Sequence, residues 1–165
     1  MNQDGTALEG RHEIATAAGM ESLGRALGET LAAGDFVVLT GALGAGKTTF
    51  TRGLGEALGV RGPVQSPTFV LARTHPSLTG GPALVHVDAY RLGSAAELDD
   101  LDLDLSHSVV VVEWGRGMVE SLAESWWDIE IDRPVGGVTR DDELDGDAPR
   151  VVTVRRLPPG NAIDS

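Results

Sequence analysis

The apolar positions of this chain form two patterns: runs of consecutive apolar residues, typical of buried strands, and the spacing typical of helices. Continuous apolar runs predict strands that are buried on both faces, as in a parallel sheet. They are FVVL at 36–39, ALVHV at 83–87 and SVVVV at 108–112. Apolar residues at helical spacing predict a helix over residues 18–33 that stops at Gly34, and a second helix over residues 47–58 that stops at Gly59.

The remaining segments predict shorter elements. Further strands are expected at 12–16, at 68–72, at 126–132, where alternation indicates a half-exposed strand, and at 150–155, expected at a sheet edge. Short helices are expected near 94–105 and 117–124, and residues 74–82 have the composition of a hairpin turn. The pattern predicts one α/β domain over residues 1–156, with a disordered tail at 157–165.

Composition narrows the class of protein. The chain has 165 residues, no cysteine and a formal net charge of −12. Disulfides and thiolate chemistry are therefore excluded, and such a negative chain is not expected to hold a nucleic acid by itself. Residues 1–10 do not resemble a secretion signal, and no apolar run reaches the ~18 residues that span a membrane. A cytoplasmic protein without a membrane partner is expected.

A glycine-rich loop follows the first apolar run directly. Residues 41–48, GALGAGKT, match the phosphate-loop pattern G-x-x-x-x-G-K-[ST] between a predicted strand and a predicted helix. In such a loop the backbone N–H groups surround phosphate oxygens, Lys47 contacts the β- and γ-phosphates and Thr48 ligates Mg²⁺. Lys47 is also the chain's single lysine. The fold predicted is therefore the three-layer P-loop NTPase type, with a mixed sheet that is parallel in the centre and antiparallel at one edge.

A phosphate loop of this kind needs a carboxylate at the end of a neighbouring strand. Asp88 ends the run at 83–87, and Glu113 ends the run at 108–112. Both fall at the carboxyl edge of the predicted sheet, where open α/β sheets bind ligands. The spacing leaves open which of the two contacts the metal and which orients water.

Other residues are candidates on weaker grounds, namely Trp114, Ser66, Arg91 and Arg116. Trp114 could pack on a nucleotide base, although core packing is the commoner role of a tryptophan. Ser66 precedes Pro67 in a loop where P-loop switches place a γ-phosphate sensor. Arg116 is close in sequence to the carboxylates, as is Arg91, but no pattern identifies an arginine finger. His86, within a buried run, is expected to be a core histidine with its hydrogen bonds satisfied.

Guanine recognition by an Asn-Lys-x-Asp motif is impossible here, because the only asparagines are Asn2 and Asn161. ATP is therefore the expected nucleotide. Four motifs in this order, GALGAGKTTF (41–50), SPTF (66–69), HVDAYR (86–91) and VEW (112–114), resemble the TsaE (YjeE) family. These are bacterial ATPases required for the threonylcarbamoyl-adenosine modification beside the anticodon of certain tRNAs. The resemblance covers about residues 18–132.

The resemblance implies roles for particular residues. Asp88 is needed for hydrolysis, Thr48 and Glu113 ligate Mg²⁺, Trp114 lies close to the nucleotide, and Ser66 and Thr68 belong to a switch-like loop. ATP phosphates are bound by Gly44, Ala45, Gly46, Lys47, Thr48 and Thr49. In the family the ATPase docks on the TsaB–TsaD pair, which transfers the threonylcarbamoyl group, so tRNA is contacted only indirectly.

One departure and two alternatives remain. The family's loop usually has Asp where Ala42 stands, which puts any switch or partner contact of that Asp in doubt. A P-loop small-molecule kinase is the main alternative, although no Arg-rich lid segment is evident. The second alternative is a nucleotide-dependent binding module that does not hydrolyse the nucleotide. The ATPase interpretation predicts slow turnover alone and faster turnover with the partner complex.

Overall fold

The computed structural model describes residues 8–41, 46–60, 62, 72–89, 105–116, 119–121, 123–132 and 149–157. In chain order the helices and strands are β1 (Gly10–Ile14), α1 (Ala17–Gly28), β2 (Phe36–Gly41), α2 (Lys47–Leu58), β3 (Ala72–His75), β4 (Ala83–Asp88), β5 (Ser108–Glu113), β6 (Trp126–Asp132) and β7 (Arg150–Leu157). Two short 3₁₀ turns, Leu105–His107 and Val119–Ser121, flank β5. No helix within these ranges has the length and apolar character needed to cross a bilayer.

The seven strands form one sheet in the order β1-β7-β6-β2-β5-β4-β3. The four central strands, β6, β2, β5 and β4, run parallel to one another. The outer strands pair antiparallel, β7 and β1 at one edge and β3 at the other. The predicted α/β class with a mixed sheet is confirmed, and the hairpin that joins β3 to β4 adds an antiparallel strand at the second edge.

Both helices pack on the same face of the sheet. Met20, Leu23 and Leu27 of α1, with Phe50 and Leu54 of α2, are buried against one set of alternate strand residues. These strand residues include Val37, Leu39, Val111, Ile129 and Val152. The opposite face of the central strands forms a second apolar cluster, in which Val38, Val85 and Val112 pack with Val119. The continuous apolar runs follow from this arrangement, because each central strand is covered on both faces.

The two helices approach each other closely at glycines. A Cβ at Gly24 would lie 2.0 Å from the carbonyl oxygen of Phe50, and one at Gly53 would lie 1.9 Å from that of Glu21. At this contact only glycine lets the two backbones touch. An ion pair between the exposed side chains of Arg25 and Glu56 also joins the helices, and the hydrogen bond from Arg25 lowers the pKa of Glu56.

Helix α1 ends five residues earlier than its apolar spacing predicts, and its local hydrogen bonds explain the difference. After Gly28 the chain forms tighter turns, in which the amide of Thr30 donates to the Leu27 carbonyl at 2.9 Å. The Thr30 hydroxyl donates to the same carbonyl at 2.8 Å. Leu31 therefore packs against the core from a turn and not from the helix.

One prediction about the late strands is wrong, and another holds only in part. β7 is not an edge strand, because β1 pairs with it along five residues and itself forms the edge. β6 is half-exposed only towards its end: Asp128 is buried, whereas Glu130 is partly exposed and Asp132 is exposed. β7 continues through Leu157. The expected helix at 94–105 and the expected tail beyond 157 fall almost wholly outside the described residues.

Candidate functional site at the carboxyl edge of the sheet

The two ends of the phosphate loop are in place. β2 ends at Gly41, and α2 begins at Lys47 after Gly46, whose φ of 113° lies in the left-handed region that favours glycine. No side chain caps α2, so the first N–H groups of this helix are not occupied by a capping side chain. Thr48 and Thr49 lie in the first turn of the helix and are half-buried. Four predicted residues, Gly44, Ala45, Ser66 and Thr68, lie outside the described residues.

The Lys47 side chain reaches back across the loop towards β5. Its Nζ donates a 2.6 Å hydrogen bond to the carbonyl oxygen of Gly41 and lies 3.7 Å from Oε1 of Glu113. The same ammonium lies 4.7 Å from the centroid of the Trp114 ring, a cation–π distance. The structure thus brings together three residues that the sequence singled out, on one side of the sheet edge.

The two predicted carboxylates lie side by side. Asp88 and Glu113 are register partners at the last positions of the parallel strands β4 and β5. Glu113 also aligns with Leu39 of β2, which packs on the face covered by α2. Both carboxylates therefore share the face and edge at which α2 begins. Glu113 is only 4% exposed and Asp88 only 5%.

Oxygen ligands for a hard cation are available at this edge. Mg²⁺ is held in proteins by one or two carboxylates, with water and phosphate oxygens completing its shell. Glu113, Asp88 and the hydroxyl of Thr48 are ligands of that type. Within the described ranges, no three His, Asp or Glu side chains form a group that would enclose a metal by themselves. This donor set fits a cation shared with a phosphate better than a dedicated protein cage.

His86 is a site residue that sequence reasoning missed. It is fully buried, and its Nε2 lies 2.7 Å from Oε2 of Glu113. Its Nδ1 has no hydrogen-bond partner among the described residues. The expectation that both ring nitrogens of this histidine are hydrogen-bonded is therefore wrong for the described part of the chain. The available signal was its spacing, because residues two apart in a strand share a face and His86 precedes Asp88 by two.

Trp114 is not a core residue. It is 38% exposed and adopts a φ of 63°, which costs a non-glycine residue roughly 1 kcal/mol or more. Its amide donates to the carbonyl oxygen of Leu39 at 3.0 Å, which extends the pairing of β5 with β2 by one hydrogen bond. The left-handed turn directs the indole towards Lys47 and away from the core.

The Arg116 side chain binds Asp128 on the face of the sheet opposite to Glu113. Its Nε and one Nη donate to the two carboxylate oxygens of Asp128 at 3.0 and 2.7 Å, and the same Nη contacts Glu130 at 3.2 Å. Asp128 aligns with Val38, whose face is opposite to that of Glu113. The Asp128 hydrogen bonds raise the pKa of Arg116. This guanidinium anchors the segment after Trp114 to β6 and does not face the phosphate loop.

Arg116→Leu is expected to destabilise the fold by about 2 kcal/mol, because it leaves a buried carboxylate with weak compensation. Asp128 is 2% exposed, and its remaining cation is an Nη of Arg155 at 3.7 Å. Urea unfolding would measure the loss. The double variant Arg116→Leu/Asp128→Leu is expected to recover most of it, and the exposed Arg52→Leu should change stability by less than about 0.5 kcal/mol. Equal stability of Arg116→Leu and wild type would show that the pair contributes nothing.

Comparisons with known proteins give the family. The family model described as "Threonylcarbamoyl adenosine biosynthesis protein TsaE" matches residues 14–140. A protein named tRNA threonylcarbamoyladenosine biosynthesis protein TsaE from Streptomyces coelicolor is 66% identical over 120 residues, covering 71% of this chain and 81% of the relative. The protein of the same name from Mycobacterium tuberculosis is 53% identical over 128 residues, covering 72% and 76%.

A solved structure agrees with the sequence relatives. The crystal structure of YdiB from Bacillus subtilis superposes with a TM-score of 0.63 at 26% identity, over 87% of this chain and 82% of that one. The family match spans Lys47, Asp88, Glu113 and Trp114, which lie at the carboxyl edge of the sheet. The chain is therefore a member of the TsaE family of threonylcarbamoyl adenosine biosynthesis proteins.

Proposed function

We propose that this chain is a Mg²⁺-dependent ATPase that acts in the threonylcarbamoyladenosine modification of tRNA next to the anticodon, by nucleotide-dependent docking on a TsaB–TsaD complex. The observation that carries the proposal is the position of the Lys47 ammonium, at the start of α2 and 3.7 Å from the carboxylate that ends β5. An ammonium, a helix N-terminus and a strand-end carboxylate at one edge make up the minimum of a P-loop phosphate site.

Nucleotide binding is assigned to residues 44–49 together with Trp114. Lys47 would exchange its bond to the Gly41 carbonyl for phosphate oxygens, which are stronger acceptors for an ammonium. The open first turn of α2 favours negative charge at the same place. Trp114 presents an exposed ring beside Lys47, where a nucleotide would contact it.

Thr48, Glu113 and Asp88 would hold Mg²⁺, which supplies charge neutralisation for the phosphate oxygens when it is bound. The residues around it bind and orient the nucleotide, and a carboxylate at the edge orients the attacking water. Hydrolysis would follow as in-line attack on the γ-phosphate, with Lys47 and the loop amides stabilising the developing charge.

Slow turnover by the isolated chain is part of the proposal. Arg116 is bound to Asp128 on the opposite face, so it does not serve as an arginine finger without breaking that pair. A partner that supplies or orders the missing charge would accelerate hydrolysis. The net charge of −12 supports a protein partner, with tRNA reached through it.

The test is phosphate release from ATP, measured for the chain alone and with the TsaB–TsaD complex of the same organism. We expect Mg²⁺-dependent release that rises by about tenfold or more when the complex is added, since a supplied charge stabilises the transition state by more than about 1.4 kcal/mol. Glu113→Gln, which keeps the shape of the side chain, is the matched loss-of-function control. Phosphate transferred to a small-molecule acceptor would contradict the proposal and support a kinase. Tight ATP binding without turnover under any condition would support a binding module.

A further inference from the structure

A histidine in the middle of a buried apolar strand needs a physical reason. His86 is 0% exposed, and its neighbours in β4, Val85 and Val87, are buried valines. Burying an imidazole without satisfying both ring nitrogens costs free energy, and Nδ1 has no partner within the described ranges. An apolar side chain of similar volume would fill this space without that cost. Packing alone therefore does not explain the residue.

The hydrogen bond between the His86 ring and Glu113 has a defined donor and acceptor. A carboxylate only accepts hydrogen bonds, so the 2.7 Å contact places the proton on Nε2, which donates to Oε2 of Glu113. The other oxygen, Oε1, is the atom that lies 3.7 Å from the Lys47 ammonium. The two oxygens of one carboxylate are thus divided between a buried histidine behind it and the phosphate-loop lysine in front of it.

The separate contacts of the two Glu113 oxygens become important when Lys47 binds phosphate. Glu113 is a buried carboxylate, and the Lys47 ammonium and the His86 ring each contact one of its oxygens. When Lys47 turns to a nucleotide, the hydrogen bond from His86 still fixes the carboxylate. Hydrogen-bond partners of this second layer commonly set the orientation and affinity of metal-binding side chains.

We propose that His86 is a positioning residue for Glu113: it holds Oε2 and so keeps Oε1 directed at the phosphate loop, where it would bind Mg²⁺. This inference rests on the proposed ATPase function and adds the residue that keeps its carboxylate in place. His86 itself touches neither nucleotide nor metal in this assignment. Its substitution should therefore affect turnover and Mg²⁺ dependence, and it should leave nucleotide affinity nearly unchanged.

The test compares His86→Asn with His86→Gln. The amide nitrogen of glutamine extends about as far as Nε2 and can donate to Glu113, whereas that of asparagine is too short. For His86→Asn we expect kcat to fall about tenfold or more and the Mg²⁺ concentration for half-maximal rate to rise, with KM for ATP within about twofold of wild type. His86→Gln should recover most of the lost rate. His75→Asn, a change at another buried histidine on β3 that aligns with Leu84, is the matched control and should leave kcat unchanged.

A second measurement uses the nucleotide-free protein and needs no variant of His86. In the ¹⁵N-histidine NMR spectrum, the Nε2 proton of His86 is expected far downfield, and Glu113→Gln should move it upfield, because a neutral amide is a weaker acceptor than a carboxylate. An unmoved proton would overturn the inference even if His86→Asn failed to fold.

The two proposals fail differently. If wild type hydrolyses ATP and His86→Asn matches it in kcat and Mg²⁺ dependence, the positioning role is wrong and the ATPase stands. If His86→Gln is as impaired as His86→Asn, the hydrogen bond is not what matters, and the inference is again wrong. If wild type itself releases no phosphate with or without the partner complex, the proposed function fails.

Discussion

Lys47→Ala is expected to lower ATP turnover by about 100-fold or more, the usual loss when a fixed charge at a developing anion is removed. The chain has no other lysine, so no neighbouring ammonium can take over the role. The Lys47 ammonium also contacts the Gly41 carbonyl, Glu113 and the Trp114 ring, so it is fixed in place at the edge of the sheet. Affinity for a fluorescent ATP analogue should fall with the rate, since Lys47 would contact the phosphates in the ground state as well.

Lys47→Arg tests whether a positive charge at this position is sufficient. It keeps the positive charge, but its planar fork is larger than a compact ammonium on a flexible stem, so we expect most of the activity to be lost as well. Arg52→Ala, five residues further along α2 and exposed, should leave affinity and turnover unchanged. The unfolding free energy of Lys47→Ala should change by about 1 kcal/mol at most, because His86 still binds Glu113. Unchanged nucleotide affinity and turnover in Lys47→Ala would remove the basis of the proposed function.

The central part of the fold could be predicted because its signals are local. The bounds of α2, Lys47–Leu58, follow from apolar spacing between two glycines, and β2, β4 and β5 follow from continuous apolar runs. The carboxyl ends of parallel strands share an edge, so the proximity of Asp88 and Glu113 also followed from where their runs end. The chemical roles of these residues stay predictions.

The sheet edges could not be predicted in the same way. Strand order depends on pairing between segments far apart in sequence, such as β1 with β7, and alternation within one strand does not reveal its partner. For the same reason β6 looked half-exposed. Its Asp128 resembles a surface residue until Arg116 is known to cover it with a bidentate ion pair.

His86 shows where residue statistics misled the interpretation of the site. A histidine in a buried strand is usually a core residue, and burial was indeed the right expectation. What the sequence could not provide was the acceptor, since Glu113 is 27 residues away. The period of two in a strand places His86 and Asp88 on one face, but the register of β4 with β5 is needed to put Glu113 beside them on the helix-covered face.

Gly53→Ala is the stability prediction with the largest expected effect, a loss of about 3 kcal/mol. Its added Cβ would lie 1.9 Å from the carbonyl oxygen of Glu21 and 3.1 Å from the amide nitrogen of Arg25, both backbone atoms of α1. Neither atom can move as a flexible side chain could, so the two helices must separate. The separation would also weaken the packing of Phe50 and Leu54 against the sheet. Because small domains are stable by about 5–15 kcal/mol, urea unfolding should detect this loss easily.

Gly19→Ala is the matched control on the partner helix. Its Cβ would meet only side-chain atoms at 3.4 Å, an ordinary contact, so the helix preference for alanine should stabilise the protein by roughly 0.5–1 kcal/mol. The opposite signs of two Gly→Ala changes would separate the close approach of the helices from helix propensity. Gly53 lies less than two turns after Lys47, so nucleotide affinity should fall in Gly53→Ala and stay unchanged in Gly19→Ala. Equal stabilisation by both substitutions would mean that α1 and α2 are not in backbone contact, and that the position of Lys47 is set by the sheet alone.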